Sequence, residues 1–231
     1  MSEVAVIGAG YVGLTTAACF ARLGHVVRCA DIDADRVARL SKGEIPILEE
    51  GMPALVAEGL STQRLRFVTG AGAAVPGAEF VFLCVGTPPG DDGSADLSAL
   101  EAVTREIAAL LEPAAVVVNK STVPVGTTRL VARWLAEAGT VHDAQVASNP
   151  EFLREGSAIE DTLHPDRIVF GVETRRAEMI LRDLYKPFKA PIVVTDIKSA
   201  ELIKHASNSF LALKISYANA LAAVCEKAGA S

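Results

Sequence analysis

At 231 residues, half of them hydrophobic and only 5% aromatic, the chain is long enough for one large domain or one and a half, and can bury about 70–75% of the surface its unfolded form exposes. A net charge of −6 with no long basic run argues against nucleic acid or an anionic membrane surface as partner, and no apolar run approaches the ~20 residues that span a bilayer. The four cysteines (Cys19, Cys29, Cys84 and Cys225) form no C-x-x-C pair, the four histidines are scattered, and no signal peptide precedes Val4; reduced thiols in a cytoplasmic protein without a metal site are expected.

The chain opens on an apolar strand, Val4–Ile7, then Gly8-Ala-Gly10-Tyr-Val-Gly13, a helix over Tyr11–Leu23, and a strand over Val26–Ala30 that closes on Asp31. Each glycine has its own task. Gly8 makes the tight turn, Gly10 lets a pyrophosphate approach the backbone, and Gly13 lets helix and strand pack closely. The helix start near Tyr11 offers unpaired N–H groups and a positive dipole end to that pyrophosphate. Asp31, about 20 residues on, suits ribose hydroxyls and repels a 2′-phosphate, so NAD is expected over NADP.

Further apolar runs at Arg66–Thr69, Phe80–Val85, Ala115–Asn119, Gln145–Ser148, Ile168–Val172 and Ile192–Thr195 alternate with helical patterns at Ala34–Ser41, Met52–Glu58, Ser98–Leu111, Thr127–Ala138, Thr174–Tyr185 and from Lys198 onward. This alternation predicts an α/β fold, a doubly wound and mostly parallel sheet with helices on both faces. Ser98 with Glu101 predicts a capping box. From Ser199 no breaker occurs until Gly229, which predicts a helix of about 30 residues and roughly 45 Å that runs to the last residue, Ser231, and needs something to pack against.

Ligands of such sheets bind beyond the carboxyl ends of the strands. Four places there carry unusual sequence. Val85-Gly-Thr-Pro-Pro89 offers the Thr87 hydroxyl on a stiff turn. Lys120-Ser-Thr-Val-Pro-Val-Gly126 sets two hydroxyls, Ser121 and Thr122, at a strand tip. Ser148-Asn-Pro-Glu-Phe-Leu-Arg-Glu-Gly156 holds Glu151 and Glu155 four apart, which a helical turn would place on one face. On the long helix, Lys204 and Asn208 share a face about 6 Å apart; a lysine beside an amide donor can hold an oxyanion, and the same spacing also fits a solvated polar stripe.

Taken together, Gly8–Gly13, Gly86–Pro89, Lys120–Gly126, Asn149–Gly156, Pro165–Gly171 and Ser199–Leu211 make the chain resemble the UDP-glucose/GDP-mannose dehydrogenase family over essentially its whole length. The resemblance implies oxidation of a nucleotide sugar's C6 alcohol to a carboxylate, with UDP-glucose as substrate, two NAD per turnover, and an aldehyde and a cysteine-linked thioester on the way. It implies a Rossmann-type NAD-binding domain over residues 1–197 and the start of the long central helix, where the family dimerises, over 198–231. By match, Gly8, Gly10, Tyr11, Val12, Gly13, Asp31, Arg36, Thr87, Ser121, Thr122 and Glu155 would hold NAD. Thr122 and Glu151 would orient water and move protons in thioester hydrolysis. Glu151, Phe152, Leu153, Arg154 and Glu155 would contact the sugar nucleotide, with Lys204 and Asn208 stabilising oxyanions. The stretch Gly43–Gly51 is expected to be a loop near the site and receives no role.

One departure stands out. The family's nucleophile lies in a Gly-Gly-x-Cys-x-Pro-Lys-Asp segment, and none of the four cysteines has those neighbours; Cys225 sits in surroundings that match the family's helix. The chain therefore resembles the N-terminal portion of a longer enzyme and is expected to be inactive alone. GDP-mannose or UDP-N-acetylhexosamine 6-dehydrogenases share these motifs. A non-catalytic NAD-binding module is the alternative of another class, while single-step hydroxyacid dehydrogenases leave Asn149-Pro-Glu-Phe152 and Lys120-Ser-Thr122 unexplained.

Overall fold

Successive side chains of a strand point to opposite faces of a sheet. In β1 (Glu3–Ile7) both sets are apolar after Glu3. Val4 and Val6 enter one core and Ala5 and Ile7 another, which is what a sheet covered on both faces requires. In the computed structural model, which describes residues 1–140 and 144–230, β1 joins β2 (Val26–Asp31), β3 (Leu65–Thr69), β4 (Phe80–Leu83), β5 (Val116–Asn119), β6 (Gln145–Ser148), β7 (Ile168–Val172) and β8 (Ile192–Thr195) in one sheet. The order is β3-β2-β1-β4-β5-β6-β7-β8. All neighbours run parallel except β6 and β7, which pair antiparallel through Ala147 and Ser148. His142 and Ser231 lie outside the described residues.

One face is covered by α1 (Tyr11–Arg22), α2 (Ala34–Ser41), α3 (Met52–Ser61) and α7 (Arg175–Tyr185), through Leu14, Phe20, Leu40, Met52, Leu55 and Leu181. The other is covered by α4 (Ser98–Ile107) and α5 (Thr127–Glu137), through Leu100, Ile107, Val131 and Trp134. Few as the aromatics are, Phe20 gathers Phe82, Tyr185 and Phe188 at centroid distances of 5.2, 5.5 and 5.7 Å, and Phe170 lies 5.2 Å from Tyr185. Of these rings Phe20, Tyr185 and Phe188 line the cavity described below. Strand order reverses direction beside β1, since β2 and β3 extend to one side and β4 onward to the other, so a crevice opens between the carboxyl ends of β1 and β4.

Three local expectations need correction. The Ser98–Glu101 capping box does not form: Ser98 is already inside α4, its amide donates to Asp96 Oδ1 at 2.8 Å, and Glu101 pairs with Arg105 at 2.8 Å. A short helix not foreseen, α6 (Ala158–Leu163), follows the Asn149–Gly156 segment. That segment makes no helical turn around Glu151 and Glu155: residues 151–154 are irregular, Glu151 turns inward, and Glu155 is exposed. There the Glu151 carboxylate accepts from the Leu153 amide at 2.7 Å, a local side-chain bond that competes with the helical ladder.

The long helix α8 (Ile197–Ala228) has 32 residues, begins with Asp196 accepting from the Ser199 amide, and ends at Gly229 in the left-handed conformation. Only its first turns dock, through Ile197, Ala200, Glu201 and Lys204. Beyond them Phe210, Leu213, Tyr217, Leu221 and Val224 are at least half exposed. Docking needs a glycine opposite: a Cβ on Gly171 of β7 would lie 2.6 Å from Ala200 Cβ and 2.8 Å from Ile197 Cα. Gly171→Ala is expected to destabilise the chain by about 1–3 kcal/mol through overpacking. Adding Ala200→Gly should recover part of that, despite the helix cost of about 1 kcal/mol; urea midpoints of the two variants and the parent check both statements.

Candidate functional site

The turn after β1 shows a backbone need for glycine at Gly8 and Gly13. Gly8 has φ +100°, and its amide donates to the Ala30 carbonyl at 2.7 Å. A Cβ at Gly13 would lie 1.8 Å from the Gly8 carbonyl oxygen, so α1 can sit this close to β1 only without a side chain there. A Cβ at Gly10 would meet nothing within 4 Å, so the backbone faces open space at that position. Gly10 is the N-cap of α1, with no side-chain cap and no acid in the first turn. Open space, uncapped amides and a helix dipole suit a pyrophosphate, and the residues present therefore fit a dinucleotide.

Asp31, at the tip of β2, is 6% exposed. Its carboxylate accepts from the Ala9 amide at 2.8 Å and the Asp33 amide at 3.0 Å, and pairs with Arg36 at 3.1 Å. It is fixed by the glycine turn itself. Across the crevice, Thr87 donates to the Thr122 carbonyl at 2.7 Å and Ser121 to the Val85 carbonyl at 2.7 Å, so the turns after β4 and β5 are stitched together. The Thr122 hydroxyl makes no hydrogen bond among the described residues.

Beside this crevice lies a cavity of about 650 Å³, lined by Lys120, Glu151, Phe152, Arg167, Lys204 and Asn208 among others. Lys204 Nζ donates to Glu151 Oε1 at 2.7 Å, the two side chains being 7% and 13% exposed. Glu151 also accepts from the Leu153 amide at 2.7 Å. Asn208, one turn on, is exposed and lines the same cavity. Leu153 is half-buried. Arg154, which also lines the cavity, is held in a two-pronged pair with Asp161, at 2.6 and 3.1 Å, which keeps the Asp161 carboxyl below its ordinary value. Phe152 lies under two cations, Arg167 at 4.7 Å and Lys204 at 5.6 Å from its ring centroid.

Several residues here had no role from sequence. Lys120, buried, donates to Asn149 Oδ1 at 3.0 Å, and Asn149 donates to the Val169 carbonyl at 3.0 Å; burial pushes the Lys120 ammonium's pKa down, opposed by the Glu151 carboxylate. Glu201 on α8 accepts from the Gly126 and Thr128 amides, the latter at 2.7 Å, and so caps α5 from another helix. His205 Nε2 meets the Val123 carbonyl at 2.6 Å. Glu49, in the loop left without a role, reaches Tyr11 and Gly156. The signal available was an acid set among apolar neighbours, Glu201 after Ala200 and Glu49 after Ile47 and Leu48. Burial pushes the Cys84 and Cys19 thiols up to about 12 and Cys29 well above its ordinary value, which keeps all three protonated. Among the described residues no group of three His, Cys, Asp or Glu could hold a metal ion, and no helix is long and apolar enough to cross a membrane.

Fold, switch-point crevice and glycine cradle define a dinucleotide-binding domain of the doubly wound class. Residues 2–189 match the UDP-glucose/GDP-mannose dehydrogenase family, NAD binding domain, and residues 198–231 match that family's central domain. The chain belongs to this family. It is 48% identical over 235 residues to the UDP-glucose 6-dehydrogenase of Rhizobium meliloti (strain 1021), covering 99% of this chain and 54% of that protein. To the UDP-glucose 6-dehydrogenase TuaD of Bacillus subtilis (strain 168) it is 45% identical, covering 100% of this chain and 50% of that protein. A UDP-glucose dehydrogenase structure from Pyrobaculum islandicum superposes with TM-score 0.95 at 46% identity, over 100% of this chain and 54% of that one. The ternary complex of GDP-mannose dehydrogenase from Pseudomonas aeruginosa gives 0.93 at 32%, over 99% and 54%. The chain thus spans about half the length of the curated relatives it matches.

Glu201→Ala should leave the Gly126 and Thr128 amides without their acceptor at a cost of about 1–3 kcal/mol, with Glu201→Gln costing less because one acceptor oxygen remains. Urea denaturation of both variants checks the order.

Proposed function

We propose that the chain is the cofactor half of an NAD-dependent nucleotide-sugar 6-dehydrogenase that oxidises UDP-glucose to UDP-glucuronate, with residues 1–197 as NAD-binding domain and 198–231 opening the central helix. The observation that carries this reading is the meeting of Lys204 and Glu151, 53 positions apart, at 2.7 Å in a cavity that Asn208 also lines, next to the glycine cradle. An ammonium has three donors. One goes to Glu151, so two remain for a substrate oxygen, and Asn208 supplies an amide donor one turn away. In a site this buried such donors stabilise developing negative charge far more than in water.

In this reading NAD, when bound, supplies the oxidant. The turn Gly8, Gly10, Tyr11, Val12 and Gly13 receives its pyrophosphate, and Asp31 with Arg36 faces the adenosine ribose. Thr87, Ser121, Thr122 and Glu155 complete the cofactor's surroundings. Glu151, with Thr122, orients water and takes up protons. Phe152, Leu153, Arg154 and Glu155 contact the sugar nucleotide. The exposed apolar stripe of α8 would pair two copies of the full-length protein. No Gly-Gly-x-Cys segment occurs in the sequence and three of its cysteines are protonated and buried or half-buried, so the covalent step is assigned to residues outside this chain.

Calorimetric titration of the 231-residue chain tests the proposal. NADH should bind, and NADPH about tenfold or more weaker, a difference of at least about 1.4 kcal/mol. UDP-glucose should bind weakly, lose most of that affinity in Lys204→Ala, and yield no UDP-glucuronate with NAD. Failure to bind NADH would overturn the cofactor assignment, turnover would overturn the assignment of the covalent step, and a preference for GDP-mannose would move the substrate to the sister activity.

A further inference from the structure

Glu49 comes from the Gly43–Gly51 loop and is 7% exposed. Its carboxylate accepts from the Tyr11 hydroxyl, from the Gly156 amide at 3.0 Å and from the Ile159 amide at 3.4 Å. The Gly156 amide also reaches the Tyr11 oxygen at 3.1 Å. Ser157, in front of α6, provides no side-chain cap, so Glu49 caps that helix from a loop about a hundred residues earlier in the chain. Gly156 has φ +87°, a conformation that glycine adopts without strain, and there the chain turns from the Glu151–Glu155 segment into α6.

The two ends of this contact belong to different halves of the proposed site. Tyr11 is the first residue of α1, next to the Gly10 cradle. Gly156 closes the segment that carries Glu151. Burial and then the bond to Glu49 push the Tyr11 hydroxyl up to about 12. Burial opposes ionisation of Glu49, yet Tyr11 and the amides of Ile159, Gly156 and Ala158 hold its carboxyl below the ordinary value. At neutral pH the contact is therefore a phenol donating to a carboxylate, which is among the stronger classes of hydrogen bond.

We infer that Tyr11 and Glu49 form a positioning strut, which fixes the Glu151–Gly156 segment against the cofactor helix and so links occupancy of the glycine cradle to the order of the substrate-side loop. The inference rests on the proposed cofactor and substrate assignments. Glu49 acts through Tyr11 and the loop amides, and is a positioning residue, not a catalytic one.

Amide hydrogen exchange by NMR on the full 231-residue chain, with and without NADH, tests it in the parent, Tyr11→Phe and Glu49→Gln. Expected first is exchange at Gly156 and Ile159 about tenfold faster in Glu49→Gln, with Gly126 and Thr128, which Glu201 holds, unchanged. Expected next is that NADH slows exchange at Gly156 and Ile159 in the parent and that Tyr11→Phe abolishes the slowing while still folding. Equal acceleration at Gly126 and Thr128 would reduce Glu49 to a contributor to global stability and overturn the strut. So would a parent that binds NADH without any change at Gly156 and Ile159, or a Tyr11→Phe variant that keeps the slowing. A parent that does not bind NADH at all fails earlier, in the titration itself, and overturns the cofactor assignment together with the strut. Should Glu49→Gln not fold, Tyr11→Phe alone decides.

Discussion

The carboxyl edge of the sheet is organised by how closely α1 lies on β1. Only hydrogen fits on the α-carbon of residue 13, since a Cβ would fall 1.8 Å from the Gly8 carbonyl oxygen, and Gly8 itself faces the Cys84 carbonyl, which a Cβ would approach to 2.5 Å. One helix–strand distance and one distance between the ends of β1 and β4 are thereby set by backbone contact rather than by side-chain packing. Because β1 pairs with β2 on one side and β4 on the other, the same contact sets where Asp31 and the Cys84–Pro89 turn stand relative to the helix start. A dinucleotide crevice needs both flanks in place, and here the backbone supplies them.

A second constraint is the placement of carboxylates. Glu49, Glu151 and Glu201 are largely buried, and a buried carboxylate without donors would cost several kcal/mol. Each has donors drawn from another part of the chain: Tyr11 and two amides for Glu49, Lys204 for Glu151, and the amides at the start of α5 for Glu201. These requirements tie loops to one another. The turn after β5 is held by α8, and the segment after β6 is held by α8 at Glu151 and by the 43–51 loop at Gly156. Loops that would otherwise be the most mobile parts of a doubly wound sheet are pinned where the cavity forms. Beneath them the aromatic rings of Phe20, Tyr185 and Phe188 line the cavity, backed by Phe82 and Phe170, and Asn149 offers an acceptor to Lys120 there.

The same logic explains why α8 changes character along its length. Its first turns are shaped for contact, with Ala200 against Gly171, Glu201 on α5 and His205 on the Val123 carbonyl. Past Asn208 its apolar residues touch little else among the described residues. A single helix with such a surface gains stability only when that surface is covered, which fits the match of residues 198–231 to the family's central domain.

Much of this was legible in sequence, because it rests on local rules. Alternating apolar runs and helical periods give the strands and their parallel sheet, Gly8 and Gly13 give the tight turn because each answers a backbone requirement, and the absence of any breaker before Gly229 gives α8. Local rules also misled: Ser98 and Glu101 have the spacing of a capping box while Asp96 takes the amide, and Glu151 and Glu155 have helical spacing while Pro150 precedes an irregular segment. Sequence by itself determined the fold class, the cofactor turn and the family, since these depend on contacts between neighbours in the chain or on patterns repeated along it. Only the tertiary structure decided that Lys204 meets Glu151, that Arg154 is spent on Asp161, and that Glu49 and Glu201 cap helices not their own. Those contacts join residues from 7 to 110 positions apart, and they are selected by the need to satisfy buried charge, which no local pattern encodes.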